Sequence, residues 1–144
     1  MKSARMIVCE LLEKLEKSAY SNLALDGVLQ SSDVSARDKA FISRLFYGVI
    51  ERKATLDYII SLYSSKPLQK LDTVILETLR MGIYQLLYMD SVPDNAAVNE
   101  SVELVKQLGK KSAAPFVNAV LRSFIRDDKK FALPKNRLQK FCVE

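Results

Sequence analysis

The chain has 144 residues, of which 49% are apolar and 27% charged, and its net charge is +5. That length supports about one domain with one proper core, and the composition is ordinary for a globular protein. No apolar run reaches the roughly 18 residues that a membrane span requires. The N-terminal stretch MKSARMIVCELLEKLEK carries acids early and lacks a small-residue cleavage site, so it does not read as a signal peptide.

The dominant period is helical. Ala4, Val8, Leu11, Leu12 and Leu15 form one stripe of a first helix. A short second helix covers about Ser21 to Leu29. Ser35 followed by Asp38 has the spacing of a capping box, opening a helix from about Ala36 to Glu51. Phe41, Ile42, Leu45, Phe46 and Val49 face its inside. A further helix covers about Leu56 to Tyr63. Pro67 then breaks the pattern, because helix is disfavoured at the residue before a proline.

Asp72 caps the most apolar segment, about Thr73 to Met89, which reads as a buried central helix. Gly82 in its interior costs about 1 kcal/mol against alanine, so a neighbouring helix is expected to pack closely there. Ala96 to Leu108 follows, ended by Gly109 in the usual C-terminal position. For the last helix, Ser112 is the expected cap and Pro115 falls in the first turn, where no intrahelical bond is lost. Phe116, Val117, Val120, Leu121 and Phe124 form its buried stripe, with Asn118, Arg122 and Arg126 opposite. No strand alternation appears. The expected fold is all-α, a bundle of about seven helices, with a domain over 1–127 and a basic tail over 128–144.

Charge is unevenly distributed. Residues 106–144 hold ten Lys+Arg against three Asp+Glu, whereas residues 1–105 hold twelve against fourteen. A basic end on a near-neutral body suggests a polyanion partner; a solubilising tail is the alternative. Lys110, Lys111, Arg122 and Arg126 are the first candidates for phosphate contact, with Lys2 and Arg5 next. Arg37, Arg44 and Arg52 share a face of one helix. They form either a second patch or, the reading favoured from sequence, pairs with Asp38, Glu51 and Asp57. Tyr84 and Tyr88 read as core. Asparagine is a poor mid-helix residue, so Asn99 and Asn118 each suggest a specific hydrogen bond, internal or to a ligand.

Catalytic chemistry is sparse. The chain has no histidine, and four glycines that form neither a dinucleotide fingerprint nor a P-loop. Cys9 and Cys142 lie far apart and make no zinc site of the usual kind. Reduced thiols in a cytoplasmic protein are the simplest reading. No catalytic or metal-ligating residue is assigned.

Three stretches, YGVIERKATLDYII, LETLRMGIYQLLYMDSVPDNAAVNESVELVKQ and KKSAAPFVNAVLRSF, together resemble the NusB-like all-helical domain over about Met1 to Arg126. Two branches of that family are candidates: free-standing transcription antitermination factors, and the N-terminal domain of 16S ribosomal RNA cytosine-C5 methyltransferases (RsmB, Sun or Fmu). YGVIERKATLD, YQLLYMDSVPDNAAVNE and FVNAVLRSF resemble the second more closely. Antitermination factors typically have an arginine-rich N-terminus and read FVNGVLD at the last helix. Here Ala119 replaces that glycine, and Arg122 stands where the aspartate would be.

The resemblance implies an RNA-binding domain for ribosomal RNA. Its parent enzyme would continue into a catalytic domain holding S-adenosylmethionine and a nucleophilic cysteine, and that domain of the same chain would be a second partner. Neither Cys9 nor Cys142 matches the context of that cysteine, so no catalytic role is carried over to them, and with S-adenosylmethionine held in the other domain no cofactor is expected within these residues. Self-association, known for NusB-type domains, stays open. A protein-packing module without RNA contact is the third reading.

Overall fold

The computed structural model describes residues 2–17 and 21–132. Among them are seven α-helices: α1 (Ala4–Lys17), α2 (Ser21–Gln30), α3 (Ala36–Glu51), α4 (Lys53–Tyr63), α5 (Thr73–Tyr88), α6 (Asp94–Gln107) and α7 (Ala114–Arg126). No strand occurs among the described residues. The all-α expectation is met, and most helix limits agree to within a turn. Cys142 and most of the predicted tail lie outside the described residues.

Local chemistry explains the boundaries. Ser35 accepts the Asp38 N–H at 3.1 Å, and Asp72 accepts the Val74 N–H at 2.8 Å, so both expected caps form. Gly109 ends α6 with φ +80°, where glycine carries no Cβ penalty. Two details differ from expectation. Arg52 serves both as C-cap of α3 and as N-cap of α4, so α4 begins three residues early. Ser112 does not cap α7: Lys111–Ala113 form a 3₁₀ turn and Ala113 is the N-cap, without a side-chain hydrogen bond.

The helix α5 is the axis of the fold. Eleven of its residues are buried, including Thr78, Arg80 and Gln85. A Cβ at Gly82 would lie 2.9 Å from both Leu121 methyls and 3.1 Å from Ser101 Oγ, so the glycine lets α6 and α7 approach. Gly48 does the same for α3, because the ring of Tyr84 occupies the space its Cβ would take. Tyr84 is therefore core, as expected, whereas Tyr88 is only half-buried.

Long-range bonds give the helix directions. Arg5 near the start of α1 bonds Gln85 near the end of α5, and Glu16 near the end of α1 meets Arg80 earlier in α5. These two helices are antiparallel. Arg122 late in α7 reaches Asn95 early in α6, so α6 and α7 form an antiparallel hairpin. Packing continues past residue 127: Phe131 lies against the core and Lys129 pairs with Asp94 at 2.8 Å.

Candidate nucleic-acid interface

Four of the candidate cations divide between the two ends of α7, a helix about 20 Å long, and Lys2 and Arg5 stand at the start of α1. Lys110 and Lys111 lie in the turn before it. Lys110 pairs with Asp72 at 3.0 Å, at the N-terminus of α5, and holds that carboxyl below its ordinary range against the opposing effect of burial. Lys111 is exposed. Arg126 is exposed at the far end. Lys2 is exposed and pairs with Glu10 at 2.9 Å. The six candidate cations therefore do not form one patch.

The two asparagines separate. Asn118 Oδ1 accepts from Arg122 Nε at 3.4 Å, and Arg122 Nη1 also reaches Asn95 Oδ1 at 3.5 Å. Both contacts are long, hence weak. They lean Arg122 toward the first turn of α6. Asn99 is exposed and makes no side-chain hydrogen bond among the described residues, so of the two bonds expected for it the internal one is not formed.

The densest arginine site lies elsewhere. A groove of about 520 Å³ runs between the starts of α1 and α3 and the turn from α5 to α6. Arg5, Arg37 and Arg44 line it against a single acid, Asp38. Arg5 is half-buried, and burial lowers its pKa from the ordinary value, with Glu100 opposing. Its Nε donates to Gln85 Oε1 at 2.9 Å, and its guanidinium stands over the Phe41 ring at 4.9 Å. Gln85, 1% exposed, is fixed in turn by donating to the Met81 carbonyl at 2.9 Å. The guanidinium plane is thus held from two sides.

Arg44 donates to the Tyr88 carbonyl at 2.6 Å, a cation placed on the C-terminal end of α5 where orphan carbonyls collect. Arg52 stands over the Tyr88 ring at 4.4 Å. The favoured pairing of these arginines with local acids is corrected in part. Asp57 belongs to Arg80, at 2.6 and 2.9 Å, and Arg44 takes a carbonyl instead of a carboxylate. Sequence reasoning missed both Gln85 and the convergence of Arg5 with Arg37 and Arg44. A buried amide in an otherwise apolar helix was the available signal.

The described lining of the groove holds neither histidine nor cysteine. Cys9 is fully buried, and burial pushes its thiol up to about 12, the reverse of an activated nucleophile. The described residues hold no strand and hence no part of a doubly wound nucleotide-binding sheet. No helix among them is long and apolar enough to cross a membrane.

The NusB family profile matches residues 2–126. The chain belongs to the NusB family. A probable ribosomal RNA small subunit methyltransferase B of Bacillus subtilis is 41% identical over 126 residues, covering 87% of this chain but 28% of that protein. A transcription antitermination protein NusB of Bacillus velezensis is 35% identical over 118 residues, covering 81% of this chain and 90% of that one. The solved structure of Thermotoga maritima NusB superposes with a TM-score of 0.74 at 25% identity, over 96% of this chain and 99% of that one. The chain thus spans about 28% of the length of its methyltransferase relatives, and its fold is that of NusB.

Proposed function

We propose that this chain is the RNA-binding N-terminal domain of a 16S ribosomal RNA cytosine-C5 methyltransferase, helping to hold and orient the RNA for a catalytic domain in the rest of the protein. The observation that carries the RNA part is the groove between α1 and α3, where three arginines meet one acid. Such a local excess of cations attracts phosphate largely without regard to sequence. Arg122 and Asn118 extend the surface across the first turn of α6, which also forms one wall of the groove through Pro93 and Ala96. Lys110 and Lys111 would contact RNA only if it reached the opposite end of α7. The methyltransferase branch is supported by the 41% identity to the Bacillus subtilis protein, where the similar antitermination factors run from 31% to 38%. S-adenosylmethionine would bind in the catalytic domain.

The test is a fluorescence-anisotropy titration with a 16S rRNA hairpin and a scrambled control over a salt series. Five neutralised phosphates on single-stranded RNA give a log–log slope of about −3.5. Charge reversal of Arg37 and Arg44 together should weaken binding and flatten the slope. Salt-independent or absent binding would leave the packing-module reading. A second reading, a free-standing antitermination factor, is favoured by the 90% coverage of the Bacillus velezensis protein. A stop codon directly after Glu144 in the gene would select it; an open frame into a catalytic domain would dismiss it.

A further inference from the structure

The groove between α1 and α3 is not built like a simple phosphate track. A track needs only cations on an open surface, whereas this site is a half-open concavity with apolar side chains in its lining. Phe41, Met89, Val92 and Pro93 line it together with the arginines. Its volume of about 520 Å³ lies within the range of pockets that enclose a small ligand. A concavity of that size has room for one base turned out of a single strand.

The arginines also differ in how they are held. Arg5 is fixed by Gln85 at its Nε and by Phe41 beneath its plane. A guanidinium locked in this way offers a flat, cationic platform, and unstacked bases rest on arginine planes as they do on aromatic rings. Arg37 and Arg44 are exposed at the rim, where the phosphates flanking such a base would run. Asp38, also exposed, lines the same groove and offers the one carboxylate acceptor for a base N–H.

We infer that this groove is a nucleobase pocket: it takes one unpaired base of a single-stranded RNA segment against Arg5 and Phe41, with the adjoining phosphates on Arg37 and Arg44. This rests on the RNA-binding reading and deepens it, because it makes the ligand an unpaired nucleotide in a loop or tail rather than a helical stem. Base recognition and charge neutralisation then come from different residues of one site.

The experiment compares two probes of equal charge on the same protein, a ten-nucleotide oligouridylate and an abasic ribose-phosphate decamer, by anisotropy at several salt concentrations. The wild type should bind the base-bearing oligomer about tenfold more tightly. A double variant, Ala40→Leu with Ala96→Leu, fills the groove while leaving every charge in place. It should lose that preference, and its helical circular dichroism and melting curve report whether it folds. Uridine monophosphate in excess should compete only weakly. Equal affinity of the wild type for both oligomers, with normal salt dependence, overturns the pocket and leaves the RNA-binding reading standing. Absence of salt-dependent binding to either oligomer overturns both. Competition by the mononucleotide as strong as that by the oligomer would make the pocket a free-nucleotide site and overturn the RNA assignment.

Discussion

Arginine is used in two opposite ways in this molecule. Arg80, in the middle of α5, is 5% exposed and surrounded by acids. It meets Asp57 at 2.6 Å, Glu77 at 3.0 Å and Glu16 at 3.1 Å, and Lys53 joins Glu16 at 2.9 Å. Although burial opposes the charged form, Asp57 and Glu77 raise the guanidinium pKa further above its already high value. Arg5, Arg37 and Arg44 line a groove that holds one acid, Asp38, with Glu100 acting on Arg5 besides. A guanidinium saturated by carboxylates has nothing left to offer a phosphate, and one that faces a groove poor in them does. Counting basic residues therefore says little about a phosphate-binding surface until their acids are located.

Breaking the saturated site should have the largest effect. Arg80→Met leaves Glu77, 2% exposed, and Asp57 without their cation. Removing one partner of a buried ion pair costs about 3–5 kcal/mol, so denaturant unfolding should show a loss of that order. The folded fraction should bind oligouridylate as the wild type does. A loss of RNA affinity without a loss of stability would reverse the contrast drawn between the two regions.

The next effect lies in the groove. Arg44→Gln removes a cation from the end of α5, where it bonds the Tyr88 carbonyl. The expected loss is about 1 kcal/mol of stability, with a weaker salt dependence of RNA binding as well. Arg44 thus has both a structural and a ligand-facing part, and a variant that moved only one of the two readouts would separate them.

How legible these two sites are in the sequence follows from the distance over which each is assembled. The caps at Ser35 and Asp72, the ending at Gly109 and the close approach at Gly82 are local or periodic signals, and the structure realises all four. The Arg80 cluster draws on α1, α4 and α5, and no local spacing joins Glu16 to Arg80 or takes Asp57 away from the arginines of α3. The groove has the same origin. Arg5 and Arg37 belong to different helices, and only the packing of those helices makes them neighbours. Residue type identified the candidates; tertiary contact decided which of them converge.

A smaller effect distinguishes the acids around Arg80 by pH. Burial raises the Glu77 pKa, with Arg80 opposing, while the hydrogen bond from Lys53 lowers that of Glu16. A group whose folded pKa is raised contributes stability below its unfolded value, lost as pH rises through the folded one; a lowered pKa acts in the reverse sense. Stability should therefore fall as pH drops below the ordinary glutamate range, through Glu16, and also ease downward above that range, through Glu77. Glu77→Gln should remove the second slope and keep the first, as read from melting temperature against pH. An unchanged slope above the glutamate range would show that the buried carboxyl is not its source.

The smallest expected effect on stability is at Arg37, and it is the most informative. Arg37 is exposed and caps nothing, so Arg37→Gln should change unfolding free energy by no more than about 0.5 kcal/mol. If it holds a phosphate, the same change should reduce the salt slope of oligouridylate binding by about 0.7. At Arg80 the large change is in stability and none is expected in binding; at Arg37 the order is reversed. Should Arg37→Gln leave the slope intact while Arg44→Gln flattens it, the phosphate path would run along the α5 side of the groove, past Met89 and Ser91, and the α3 rim would be left to solvent.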